Sequence, residues 1–139
     1  MNTLLALLLL PIAHTCLNFD GTPLQVNNQQ MTWLEVNMPN QWEGRGHAQG
    51  TIGTVYPDRN GHKHFQGVIT GGTVEIVYNL DFGTLPPIRT GGMFEACGDF
   101  IVSTEPTAQY PASPDKAVLH WVHPSNDPRH PSGFLIIGQ

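Results

Sequence analysis

The sequence predicts an all-β fold, a small OB-like barrel of five or six strands with a short helix near its N-terminus. Three observations predict it. Glycine (15) and proline (12) are abundant in 139 residues, while charged residues are only 12 %, about half of average usage. That balance excludes a helical bundle, a coiled coil and a charge-driven disordered tail. Beyond residue 44, short apolar runs are punctuated by turn-forming pairs at the spacing of a strand-and-turn protein. A Gly-rich strand also permits the sharp bends that close a small barrel.

Residues 1–15 read as a signal peptide. Residues 4–10 are almost pure leucine, followed by Pro11, Ile12 and Ala13, a run shorter than the ~20 apolar residues that span a bilayer. Ala13 and Thr15 are small residues at the −3 and −1 places of a cleavage after Thr15, although residues 1–3 carry no Lys or Arg. The competing reading is a buried hydrophobic segment. An exported chain, periplasmic or extracellular and without a transmembrane span once mature, is the expectation. Cys16 and Cys97 are left with three fates: a mutual disulfide, acylation of Cys16, or free thiols. Burial of Cys97 in the core is the simplest of these.

Residues 16–43 form an N-terminal segment. Met31, Leu34 and Met38 repeat at helical spacing, so a short helix is expected within 24–38, packed by Trp33 and Leu34. Residues 44–139 make the barrel. A strand over 50–56 leads into Asp58-Arg59-Asn60-Gly61, a hairpin turn with Asn60-Gly61 at its tip. Strands over 64–70 and 73–79 flank Gly71-Gly72. In the latter, Val74, Ile76 and Tyr78 alternate with Thr73, Glu75 and Val77, the pattern of a half-buried strand. After a loop over 83–92 comes a long strand over 93–103, interrupted at Gly98. A Pro-rich loop over 104–114 precedes a strand over 116–122, closed by Pro124. A loop over 124–132 and a last strand over 134–137 complete the chain.

The net charge is −5 and only Lys63 and Lys116 are lysines. Without a basic stripe the chain is poorly equipped to neutralise phosphates, so nucleic acid is not an expected partner. Seven histidines outnumber the six Lys plus Arg. The densest cluster is His120-Trp121-Val122-His123, with His130 seven residues on. Positions i and i+3 of a strand face opposite sides, so His120 and His123 converge only if the strand ends between them, as Pro124 would allow. Three such imidazoles would suit Zn or Cu. His62 and His64, spaced i and i+2, share one strand face. Against each ligand reading stands a bland one, in which these histidines bond to backbone and Trp121 is core. Asn79 and Asp81 share a face at a strand end and are candidate ligand-binding residues; the competing reading is an Asx turn. Asp58 and Asp99 read as structural. Glu35, Glu43, Glu75, Glu95 and Glu105 are scattered, not paired for acid–base work. No nucleophile elbow, Walker loop, dinucleotide-binding loop or zincin motif occurs.

Residues 118–135, VLHWVHPSNDPRHPSGFL, resemble domain of unknown function family 3465. This is a family of short exported bacterial proteins marked by an HWTH motif and a His-Pro-x-Gly-aromatic ending. The counterparts are His120, Trp121, His123, His130, Gly133 and Phe134. Pro57-Asp58 with Gly61 and His64, then Asn79 and Asp81, then Gly98-Asp99-Phe100 agree upstream, so the resemblance covers roughly residues 44–137. Val122 replaces the family's Thr, Pro124 a second His, and Phe65-Gln66-Gly67 its Gln-Arg-Phe. The resemblance implies an exported OB-like barrel and a candidate site, and no particular activity.

Together these readings point to an exported binding module. Its site would gather His64, Asn79, Asp81, His120, His123 and His130 at one barrel end. His64, His120, His123 and His130 would hold Zn or another divalent transition metal, and Asn79, Asp81 and Trp121 a small polar ligand. One alternative is a metal-assisted hydrolase or phosphodiesterase, with Asp81 as base beside a metal-activated water. The other is a structural or protein-partner domain, which requires His120 and His130 buried with each ring nitrogen bonded inside the protein.

Overall fold

Strand β1 (Glu43–Arg59) is the element on which the sheet closes. The structure, a computed structural model, describes residues 14–138; residues 1–13 of the expected leader lie outside the described residues. From Glu43 to Thr51, β1 pairs antiparallel with β4 (Met93–Val102), and from Thr51 to Arg59 it pairs with β2 (His62–Ile69). One strand thus serves two partners in succession, and Gly50 stands at the changeover, where a side chain would collide with the Val68 carbonyl. β2 pairs with β3 (Gly72–Asn79), β3 runs parallel to β5 (Ala117–His120), and β5 pairs with β4. The β1–β4 pairing therefore completes a ring of five strands, β1-β2-β3-β5-β4. β6 (Phe134–Gly138) lies outside the ring. It takes Met93–Cys97 of β4, while β5 takes Asp99–Val102. This is the all-β, OB-like, barrel-like architecture expected from the sequence.

Local chemistry accounts for most boundaries. Asn60 (φ 50°) and Gly61 (φ 74°) form the tip of the β1–β2 hairpin, since two positive φ values make the turn whose twist matches the flanking strands. Two expectations need correction. β4 is continuous through Gly98; the glycine is there because a side chain would strike the His120 carbonyl of β5. β5 ends at His120, short of the expected residue 122, because Trp121 adopts φ 57° and turns the chain out of the ladder.

Phe65, Phe100, Ile52, Ile76, Leu119, Val74 and Val102 fill the ring. Helix α1 (Asn28–Asn37) covers it, inserting Met31 and Leu34. Leu34 packs as expected, but Trp33 does not: it is 58 % exposed, because a 3.6-residue period that turns Met31 and Leu34 inward turns position 33 outward. Glu75 also departs from the half-buried pattern. The loop over residues 103–116 lies across that outer sheet face. There Ser113 Oγ donates to Glu75 (2.8 Å), and Asp115 accepts from Tyr56, Gln66 and Thr73 (2.7–2.8 Å).

Cys16 and Cys97 form a disulfide, so Cys97 is not the free core thiol expected as the simplest reading, and the Cys16 sulfur is not free for acylation. The bond joins the N-terminal segment to β4. Cys16, Cys97 and Phe134 make a small second core beside the barrel.

Glu35, on the inward side of α1, has a buried Oε1 with no hydrogen-bond partner. Burial, reinforced by the Asp115 charge, pushes its carboxyl up to about 8. Between the usual carboxylate range and about 8, the folded state keeps a proton that the unfolded state releases. Stability therefore falls as pH rises through that window and levels off above it. Glu35→Gln, which needs no proton, is expected to gain on the wild type as pH rises from 5 to 9. We expect a difference of about 1–2 kcal/mol. Thermal melts of both proteins across that range measure it; parallel curves would remove Glu35 as the cause.

Candidate functional site

The register of three strands assembles the site. On β4, Asp99 stands opposite Arg45 of β1 on one side and His120 of β5 on the other. Residues directly opposite share a sheet face, so the three side chains form a row. Glu43, two residues before Arg45 on β1, falls on the same face.

Asp99 is the centre of this row. Its side chain is 4 % exposed, that of Arg45 only 1 %. Arg45 Nη1 donates to Asp99 Oδ1 at 3.0 Å, and His130 Nε2 meets Oδ2 at 2.7 Å. Arg45 also donates from Nε to the Leu17 carbonyl (2.8 Å) and from Nη2 to the Ser132 carbonyl (2.9 Å) and Cys97 Sγ (3.2 Å). One guanidinium thus ties together the N-terminal segment, the disulfide, β4 and the loop that carries His130.

Glu43, Asp99 and His120 each bring one metal-ligating atom to this place, all within 4.8 Å of one another. Glu43 is exposed, Asp99 buried and His120 half-buried. Burial holds the His120 imidazole below its ordinary range, against the opposing pull of Asp99. Burial and the neighbouring Asp99 charge push the Glu43 carboxyl up, and His130 partly offsets them. Three ring nitrogens of this region are buried without a hydrogen-bond partner: His120 Nε2, Trp121 Nε1 and His130 Nδ1.

The left-handed turn at Trp121 divides the HWVH segment. Trp121 packs on His130 (ring centroids 4.1 Å apart) and leans on His123 (5.3 Å). His123 in turn stacks on Phe82 at 3.6 Å and 10°, and its Nδ1 lies 2.8 Å from the Pro124 carbonyl oxygen.

Of the residues singled out in the sequence, His120 and His130 approach Asp99, and Trp121 packs against His130. His64 lies instead under the loop over 103–116, its Nδ1 2.7 Å from Glu75 Oε2. Asn79 Oδ1 accepts from the Asp81 amide at 2.9 Å, the Asx arrangement, and Asp81 is exposed. The strand does end between His120 and His123, yet His123 turns to Phe82. Among the described residues, Glu43, Asp99 and His120 are the group of His, Cys, Asp or Glu side chains whose ligand atoms come together. Arg45 and Glu43 carried no sequence motif, and Asp99 read as structural. The available signal was the i, i+2 placement of Glu43 and Arg45 on one strand face.

No protein-family model matches the chain, and no curated protein matches it.

Proposed function

We propose that this protein is an exported binding module that holds a small polar ligand or a metal ion on the sheet face that carries Asp99. The observation that carries this reading is the set of three buried, partnerless ring nitrogens, His120 Nε2, Trp121 Nε1 and His130 Nδ1. A purely structural role would bond each of them inside the protein, because an unpaired buried polar atom costs about 1–3 kcal/mol. The ring beneath them is closed by strand pairing, which suits recognition by a preset group of side chains.

Export is supported by the leader-like residues 4–13 and by the Cys16–Cys97 bond, since disulfides persist in oxidising compartments. Among the described residues no helix is long and apolar enough to cross a membrane. The resemblance to the exported HWTH proteins favours the same compartment.

Thermal-shift measurements on the full chain, disulfide intact, test the binding reading. The probes are zinc chloride, manganese chloride, sodium phosphate, sodium acetate and glucose. At least one is expected to raise the melting temperature, since ligand at 100 times its Kd adds about 2.7 kcal/mol. Glu43→Gln, at an exposed position, should lose that shift while melting like wild type without the probe. No shift with any probe would overturn the reading in favour of an architectural role.

A further inference from the structure

We infer that Glu43, Asp99 and His120 form a site for one divalent first-row transition-metal ion, with His130 and Arg45 as positioning residues. This rests on the binding reading above and names its ligand class.

The argument begins with placement. The three ligands come from three adjacent strands of a closed ring, β1, β4 and β5, so their backbones are mutually fixed. Their ligand atoms lie within 4.8 Å of one another. Around an ion with bonds of about 2.1 Å, ligand atoms sit roughly 3–4 Å apart. The remaining closure is small, and Glu43, which is exposed, is free to make it.

The donor set decides the class. One imidazole and two carboxylates suit Zn²⁺ or Mn²⁺. They are too hard for a thiolate-seeking ion, and Ca²⁺ prefers an all-oxygen shell. His120 Nε2 is buried with no hydrogen-bond partner, so this imidazole is not committed elsewhere through that nitrogen. Asp99 is already bonded to Arg45 through Oδ1 and to His130 through Oδ2. A carboxylate has about four lone-pair sites, so two partners leave it able to bind an ion. Such partners orient ligating groups in metal sites, and their loss typically lowers affinity 10–100-fold.

Isothermal titration of the untagged full chain, disulfide intact, with zinc chloride and separately with manganese chloride tests this. One equivalent is expected to bind. Glu43→Gln and His120→Gln should each weaken binding at least tenfold, and His130→Gln about tenfold through Asp99. His62→Ala and His123→Ala, which alter histidines outside the group, should leave affinity unchanged. With cobalt chloride as probe, the visible absorption of the bound ion should change in His120→Gln, which a merely structural histidine would not cause. Glu43 is exposed, so its variant folds and keeps the test decisive. Absence of binding, or binding that Glu43→Gln and His120→Gln leave intact, overturns the assignment. If the metals fail while phosphate, acetate or glucose still gives a shift that Glu43→Gln removes, the metal falls and the binding reading stands.

Discussion

Replacing both cysteines by alanine is expected to destabilise the protein by roughly 3–5 kcal/mol, one of the two largest effects we anticipate. Cys16 and Cys97 are 81 residues apart. Closing a loop of that length in the unfolded chain removes entropy worth about 4–5 kcal/mol. The folded state loses contacts as well. Cys16, Cys97 and Phe134 pack together, and the segment that Cys16 anchors brings the Leu17 carbonyl to Arg45. What then holds the segment is Leu24, packed on the second core, together with polar contacts: the Arg45–Leu17 bond, the His47 ring nitrogen at the Leu24 carbonyl (2.8 Å) and the Asn27–His47 backbone bond (2.9 Å). Urea unfolding of the wild type, the Cys16→Ala/Cys97→Ala variant and dithiol-reduced wild type measures the difference. Hydrogen exchange should rise over residues 16–26 and stay slow in the β2–β3 hairpin. Unfolding curves within about 1 kcal/mol of each other would show that the crosslink contributes little to this fold.

Arg45→Met is expected to cost a similar amount, about 3–5 kcal/mol, because it leaves the buried Asp99 carboxylate without its guanidinium. The single variant also frees the Leu17 and Ser132 carbonyls that Arg45 now satisfies. Replacing the pair together, Arg45→Met with Asp99→Leu, should recover a large part of the loss. A buried ion pair exchanged for apolar side chains of like size is often near neutral, whereas a broken pair is not. A double-mutant cycle by denaturant unfolding separates the two. If the double variant is as unstable as the sum of the singles, Arg45 acts through the carbonyls and not through Asp99. The double variant should also fail to bind zinc, since it lacks a proposed ligand.

The fold was readable where structure follows from neighbouring residues. Asn60-Gly61 marks its hairpin because few other pairs accept two positive φ values. Met31 and Leu34 mark the buried side of α1 because three residues bring a helix back to one face. Trp33 misled for the opposite reason: a large aromatic side chain invites burial, but its phase on the helix points it outward. Glu75 misled because alternation describes one strand, whereas its cover is a loop some forty residues later.

By itself, the sequence determined the all-β class, the hairpins, the helix and the cluster of three histidines near the C-terminal end. Only the tertiary structure decided which strands meet. The ring closes by pairing Glu43–Thr51 with Met93–Ile101, and nothing local to either segment specifies that register, yet a slip of one residue would turn every side chain to the other face. That register sets Asp99 between Arg45 and His120, and Trp121, leaving β5 at φ 57°, sends His120 and His123 to different neighbours. The disulfide is of the same kind. Two cysteines are visible in any reading of the chain, but their pairing depends on where β4 and the N-terminal segment come to lie, a distance that only the closed sheet defines.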